Sequence, residues 1–153
     1  MKERACLKPF FILFAIFIVC LSVSLFMWAR HSFGVRRTFV YKSASSDALN
    51  IETRYLPSAP VEGQIQNYID ELLLGSLSER CQHIFPKGTA ILSCFEREGD
   101  LYVDFSEDLI RNADPTTTHF SEEFALFCNN IKRNFSTVRR IHIFINGRES
   151  YEQ

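Results

Sequence analysis

The chain has 153 residues, a formal net charge of −1 and 46% hydrophobic side chains, but residues 10–28 alone hold 17 apolar side chains in 19 positions and no charge. The remainder, residues 29–153, is about 40% apolar, an ordinary globular fraction. It carries 14 basic against 17 acidic side chains with no basic stripe, which excludes a nucleic-acid binder of the usual kind, and its ten phenylalanines exclude a disordered chain.

Residues 1–9 read as a short basic tail carrying Lys2, Arg4 and Lys8. Nineteen helical residues from Phe10 to Trp28 would span roughly 28 Å, close to the ~30 Å hydrocarbon thickness of a bilayer. Positive charge ahead of such a helix keeps the N-terminus cytoplasmic. Residues 10–28 are therefore expected to be a signal-anchor helix crossing the inner (cytoplasmic) membrane once, with the rest of the chain extracytoplasmic, or periplasmic. The alternative is a cleaved signal peptide, whose apolar stretch is shorter, about 7–15 residues. Its small-x-small candidate, Ser22-Val23-Ser24, lies inside the run, and Val19 before Cys20 is not a lipoprotein signal.

Residues 29–37 form a basic linker that reaches roughly 30 Å at most when extended. Thr38–Lys42 reads as a strand with Phe39 and Tyr41 on one face, and Leu49–Leu56 as a second strand after a Ser-rich turn. Val61, Ile65, Tyr68, Ile69, Leu72 and Leu73 then recur at helical spacing, with Pro60 at the first turn and Gly75 past the end. Residues 90–97 and 101–105 make a hairpin about Glu98-Gly99-Asp100. Ser106–Ala113 is expected to be a short helix, with Ser106 as cap, ending at Asp114-Pro115 and three threonines.

Ser121 reads as the cap of a longer helix, with Phe120 and Ala125 as a hydrophobic staple and Phe124, Phe127, Cys128, Ile131 and Phe135 as its buried stripe. Ile141, Ile143 and Ile145 alternate with His142 and Phe144 in a last strand, apolar on both faces and so central in its sheet. Asn146-Gly147 ends it, and residues 149–153 are read as a C-terminal tail. The expected class is α+β: a small mixed sheet of about five strands with two main helices packed on it, preceded by one transmembrane helix.

Chemistry is sparse. There is no phosphate-binding glycine loop and no Gly-x-Ser-x-Gly elbow. Cys81-x-His83 is the one close ligand pair, while Cys94 and Cys128 lack paired neighbours, so no zinc site is assigned. Cys81, Cys94 and Cys128 are odd in number and allow one internal disulfide at most, and Cys94 and Cys128 fit apolar patterns as buried thiols. Asp104, Glu107 and Asp108 read as turn and helix-start residues, and Lys132, Arg133, Arg139 and Arg140 as a modest solvated basic patch. Catalytic, cofactor-binding and metal-binding residues are assigned to none.

Four landmarks stand in order: Leu72-Leu73-Leu74-Gly75-Ser76, Phe85-Pro86-Lys87-Gly88-Thr89, Leu101-Tyr102-Val103-Asp104-Phe105-Ser106, and Val138 through Ile141, Ile143 and Ile145 to Asn146-Gly147. Together they resemble the GerMN domain family over residues 38–148, with Ser76 where the family usually carries proline. The resemblance implies a non-enzymatic interaction module of the bacterial envelope. Assembly with envelope proteins or with a second copy is the leading expectation, through an edge strand or exposed helix faces. Binding of peptidoglycan or another envelope glycan through exposed aromatics such as Tyr102 and Tyr151 with nearby Arg side chains is the alternative, and a hydrolase using His83 or His142 a third.

Overall fold

The computed structural model describes residues 4–30, 34–113 and 120–152, with side chains from residue 10 to residue 151 within those segments. Lys2, the side chains of Arg4 and Lys8, linker residues 31–33 and the Asp114-Pro115-threonine turn lie outside what is described. The chain forms two compact units, residues 1–33 and residues 34–153.

The first unit is one helix, α1 (Arg4–Arg30). Its residues Phe10–Trp28 have a mean hydropathy of 2.9 and none of that stretch is buried. The hydroxyl of Ser22 donates to the Val19 carbonyl at 2.8 Å, so this polar group is satisfied within the helix. One N-terminal apolar helix of membrane-spanning length is thus present, as an anchor or a signal requires.

The second unit is α+β, as expected. β1 (Val35–Lys42) and β2 (Leu49–Leu56) form an antiparallel two-stranded sheet. β1 starts three residues earlier than the hydrophobic alternation indicated, because Val35, Arg36 and Arg37 continue the ladder opposite Leu56, Tyr55 and Arg54. Helix α2 (Gln64–Leu74) buries Tyr68, Ile69 and Leu72. It begins four residues beyond Pro60, because the chain turns at Gly63 with φ 90°, which leaves Val61 outside the helix and fully exposed.

A second sheet runs in the order β3–β4–β5–β6, from β3 (Ile91–Arg97), β4 (Asp100–Phe105), β5 (Arg140–Ile145) and β6 (Arg148–Glu152). Glu98 (φ 55°) and Gly99 (φ 89°) make the tight turn of the β3–β4 hairpin. β4 and β5 are parallel, joined by a crossover containing α3 (Asp108–Arg111) and α4 (Phe120–Asn134). The mixed sheet therefore has four strands, with the first hairpin hydrogen-bonded separately, and β5 is central as its two apolar faces indicated.

Three local expectations are corrected. Residues 148–152 pair with β5 instead of trailing off, because Asn146 (φ 50°) and Gly147 (φ 76°) reverse the chain and Tyr151 packs on Phe124 at 5.3 Å. Ser106 does not cap α3: its hydroxyl accepts the Ala90 N–H at 3.1 Å and so ties the helix entry to β3. Ser121 lies inside α4, whose first described residue is Phe120.

The inner face of β4 and β5 is wholly apolar: Leu101, Val103, Phe105, Ile141, Ile143 and Ile145 are buried, under Phe124, Phe127 and Ile131 of α4 and under Phe85. The predicted stripe of α4 is this contact. Two polar residues share that helix's buried side, Asn130 and Asn134. Asn130 exchanges two hydrogen bonds with the backbone of Val40, at 2.8 and 2.9 Å, and Asn134 two with Thr38, at 2.9 and 2.7 Å. The Tyr68 hydroxyl completes the network at 2.8 Å from the Thr38 carbonyl. A carboxamide one helical turn after another thus stands in for a strand along the outer edge of β1.

Arg54 organises the inner side of the first hairpin. Its guanidinium lies over the Phe39 ring at 4.8 Å, donates to the Gly75 carbonyl at 2.6 Å and pairs with Glu52 at 3.0 Å and Glu71 at 3.4 Å. Glu52 also accepts the hydroxyl hydrogen bond of Ser76 and the N–H of Leu77. Burial works against the ionised Glu52, but the bonds from Ser76 and Arg54 outweigh it and hold its carboxyl below the usual range. Such a group stabilises the fold fully above its ordinary value of 4.5, and the contribution is lost as pH falls through the lower native value. Thermal unfolding of the full chain measured from pH 6 down to about pH 3 is expected to show this loss. Ser76→Ala is expected to flatten that slope; an unchanged slope would remove Glu52 from the account.

Candidate functional site

Among the described residues no helix packs across the outer face of the four-stranded sheet. Alternation places Phe95, Tyr102 and His142 there, at matched positions of β3, β4 and β5. Phe95 and Tyr102 stack with centroids 5.0 Å apart at 12°, and Tyr102 and His142 at 4.7 Å and 8°. Parallel rings at strand spacing stand face to face, so Tyr102 is sandwiched and the open ring face belongs to Phe95, 55% exposed at the end of the row.

Phe95 borders two depressions. One, of about 200 Å³, is lined by Ser93, Tyr102, Asp104, Phe144 and Gly147. The other, of about 370 Å³, lies between the start of α2 and β3 and is lined by Ile65, Cys94, Leu101 and Phe135 among others. The rim of the aromatic row is charged. Arg140 grips Asp100, its neighbour across the ladder, through two hydrogen bonds that hold the Asp100 carboxyl below the usual range. Glu149 lies 3.4 Å from Nδ1 of His142. The Nε2 atom of His142 is buried without a hydrogen-bond partner among the described residues.

The remaining chemistry-bearing residues are dispersed. Cys81 Sγ accepts from the Asn50 amide at 3.4 Å, whereas the exposed His83 ring lies against Gly75. A Cβ at Gly75 would come within 2.5 Å of that ring, and φ 90° with ψ −175° is backbone that glycine alone adopts readily. Cys20, Cys81, Cys94 and Cys128 are free thiols. Burial pushes Cys94 up to about 12 and Cys128 up to about 11, which makes both poor nucleophiles.

Among the described residues no three metal-ligating side chains converge, and neither His83 nor His142 hydrogen-bonds a serine or cysteine. Asp104 accepts the Gly147 N–H at 3.1 Å, whereas Glu107 and Asp108 both pair with Arg111, at 3.2 and 3.8 Å, so Asp104 serves the β5–β6 turn and the other two serve α3. Tyr151 packs inward, leaving Tyr102 as the member of that pair on the outer face. Sequence reading missed Phe95 and His142 as its neighbours; the signal was an aromatic ring among the outward positions of each strand of the predicted hairpin and of the last strand.

A family model described as Germane, sporulation and spore germination, matches residues 39–151. The first GerMN domain of the sporulation protein GerM from Bacillus subtilis is similar with a TM-score of 0.54 at 18% identity, over 76% of this chain and 86% of that one. The tandem GerMN domains of the same protein give 0.58 at 17%, over 76% of this chain and 40% of that one. At these identities the likeness is one of fold. No curated protein matches the chain.

Proposed function

Because the chain belongs to the Germane family of sporulation and spore germination domains, we propose that it is a non-enzymatic interaction module of the bacterial envelope. Residues 10–28 anchor it in the cytoplasmic membrane, and the α+β domain binds envelope proteins on the far side. The open sheet face carries this reading. An aromatic side chain exposed beside shallow depressions is what protein interfaces select, and Arg140 and Asp100 at the rim already pair with each other.

The row also bears on the glycan alternative. A sugar stacks on an open ring face, and the faces of Tyr102 are taken by its neighbours, so Phe95 alone offers one. A single open platform supports a protein partner better than a glycan.

The test is crosslinking of the full-length chain in its own cells, with a photoreactive residue in place of Ser93 beside Phe95. Capture of envelope proteins is expected, and Phe95→Ala is expected to lower it about tenfold or more, as for an aromatic anchor of an interface. Capture insensitive to Phe95→Ala sinks the sheet-face reading, and recovery of muropeptides alone replaces it by the glycan one.

A further inference from the structure

The strand edges of the domain are unequally protected. Along β1, even-numbered residues turn their backbone away from β2, and Asn134, Asn130 and the Gln82 N–H close that edge at Thr38, Val40 and Lys42. The edge of β3 is broken by a register shift between Ile91 and Ser93, and β6 is five residues long; bulged and short edges resist strand addition. β2 has neither defence. Its register with β1 turns the backbone N–H and C=O groups of Leu49, Ile51, Thr53 and Tyr55 outward. Ile51 is 60% and Tyr55 70% exposed.

We propose that this edge pairs antiparallel with β2 of a second copy, about a two-fold axis through Thr53; the proposal rests on the assembly reading above. The segment Ile51-Glu52-Thr53-Arg54-Tyr55 is self-complementary about its centre. With Thr53 facing Thr53, each Glu52 faces an Arg54 and each Ile51 faces a Tyr55. Centring the axis on Glu52 or on Arg54 sets like charge against like charge, which disfavours both registers. In the Thr53 register the outward groups of residues 51, 53 and 55 form three hydrogen-bonded pairs, about six backbone bonds, and Pro57, which has no N–H, ends the ladder opposite Leu49. The product is a continuous sheet in the order β1–β2–β2–β1 with no free edge between the copies. Confinement of both copies to one membrane raises their effective concentration for so small an interface.

The test uses the full-length chain in membranes. Facing residues of a hydrogen-bonded antiparallel pair lie about 5.5 Å apart at Cα, within disulfide reach. Thr53→Cys is expected to give an oxidant-dependent dimer, whereas Ser45→Cys, in the exposed turn before β2, stays at the level of the parent chain. Adding Ile51→Lys to Thr53→Cys is expected to cut the dimer at least tenfold, with unaltered protease resistance showing that the domain is still folded. No dimer from Thr53→Cys, equal dimer from both cysteine variants, or a dimer insensitive to Ile51→Lys overturns the proposal, as does a Thr53→Cys disulfide to a different protein. If edge pairing fails while the probe at Ser93 still captures proteins, the assembly reading stands without it; failure of both experiments removes both.

Discussion

Asn130→Leu is expected to destabilise the exported domain by about 2–4 kcal/mol, although leucine has the same branched outline as asparagine and is far more apolar. Asn130 is fully buried, and its carboxamide is the partner of both the N–H and the C=O of Val40. Leucine leaves two backbone groups buried without partners, each costing about 1–3 kcal/mol, and recovers part of that through its own burial. Asn130→Asp should be no better, since it keeps an acceptor for the N–H but loses the donor and brings a charge into an apolar setting. Asn134→Leu should cost less, because that residue is only half-buried. Thermal unfolding of the full chain in detergent is the measurement, with a fall in Tm of roughly 10 °C expected for Asn130→Leu. A change under about 0.5 kcal/mol would mean that Val40 finds water or another partner.

Phe127→Ala should be costlier still, about 3–5 kcal/mol. The ring is inaccessible to solvent and meets Phe85 and Phe105, each with centroids 5.5 Å away, so it joins α4 both to the inner sheet face and to the segment entering β3. Truncation opens a cavity among aromatic rings too large to relax into it. Phe127→Leu should lose less than half as much in the same unfolding experiment. Equal losses for the two variants would show that the domain depends on the ring itself and not on filled volume.

The residues in these two experiments differ in how visible they are in the sequence. Phe127 is a regular member of a stripe with Phe124 and Ile131, and helical period alone marks it as core. The same rule found Tyr68, Ile69 and Leu72, and the Glu98-Gly99 turn announced its hairpin. Asn130 and Asn134 look like polar interruptions of the stripe; their meaning lies in a strand backbone 90 and 96 residues away, which no local pattern encodes. β6 was illegible for a related reason: Arg148, Glu149, Ser150 and Glu152 are polar, and only Tyr151 reaches inward to Phe124. The start of α2 was misplaced because Pro60 is a common first-turn residue, while the backbone turn that sets the boundary occurs at Gly63. As for the candidate site, alternation revealed that β5 has two apolar faces, but the ring stack depends on strand order, and the parallel pairing of β4 with β5 is made across the longest connection in the sheet.

The amide grip of α4 on β1 also constrains the order in which the chain can mature. The first hairpin leaves the ribosome well before the asparagines that seal its edge, and at about 5–20 residues per second the stretch from Leu56 to Asn130 takes roughly 4–15 s. Hairpins close in microseconds but are marginally stable alone, so throughout that interval β1 has an open edge and an unpacked Phe39–Tyr41 face whenever it forms. The nascent chain is most vulnerable to aggregation in that window, and whatever shields an emerging strand must act before residue 130 appears.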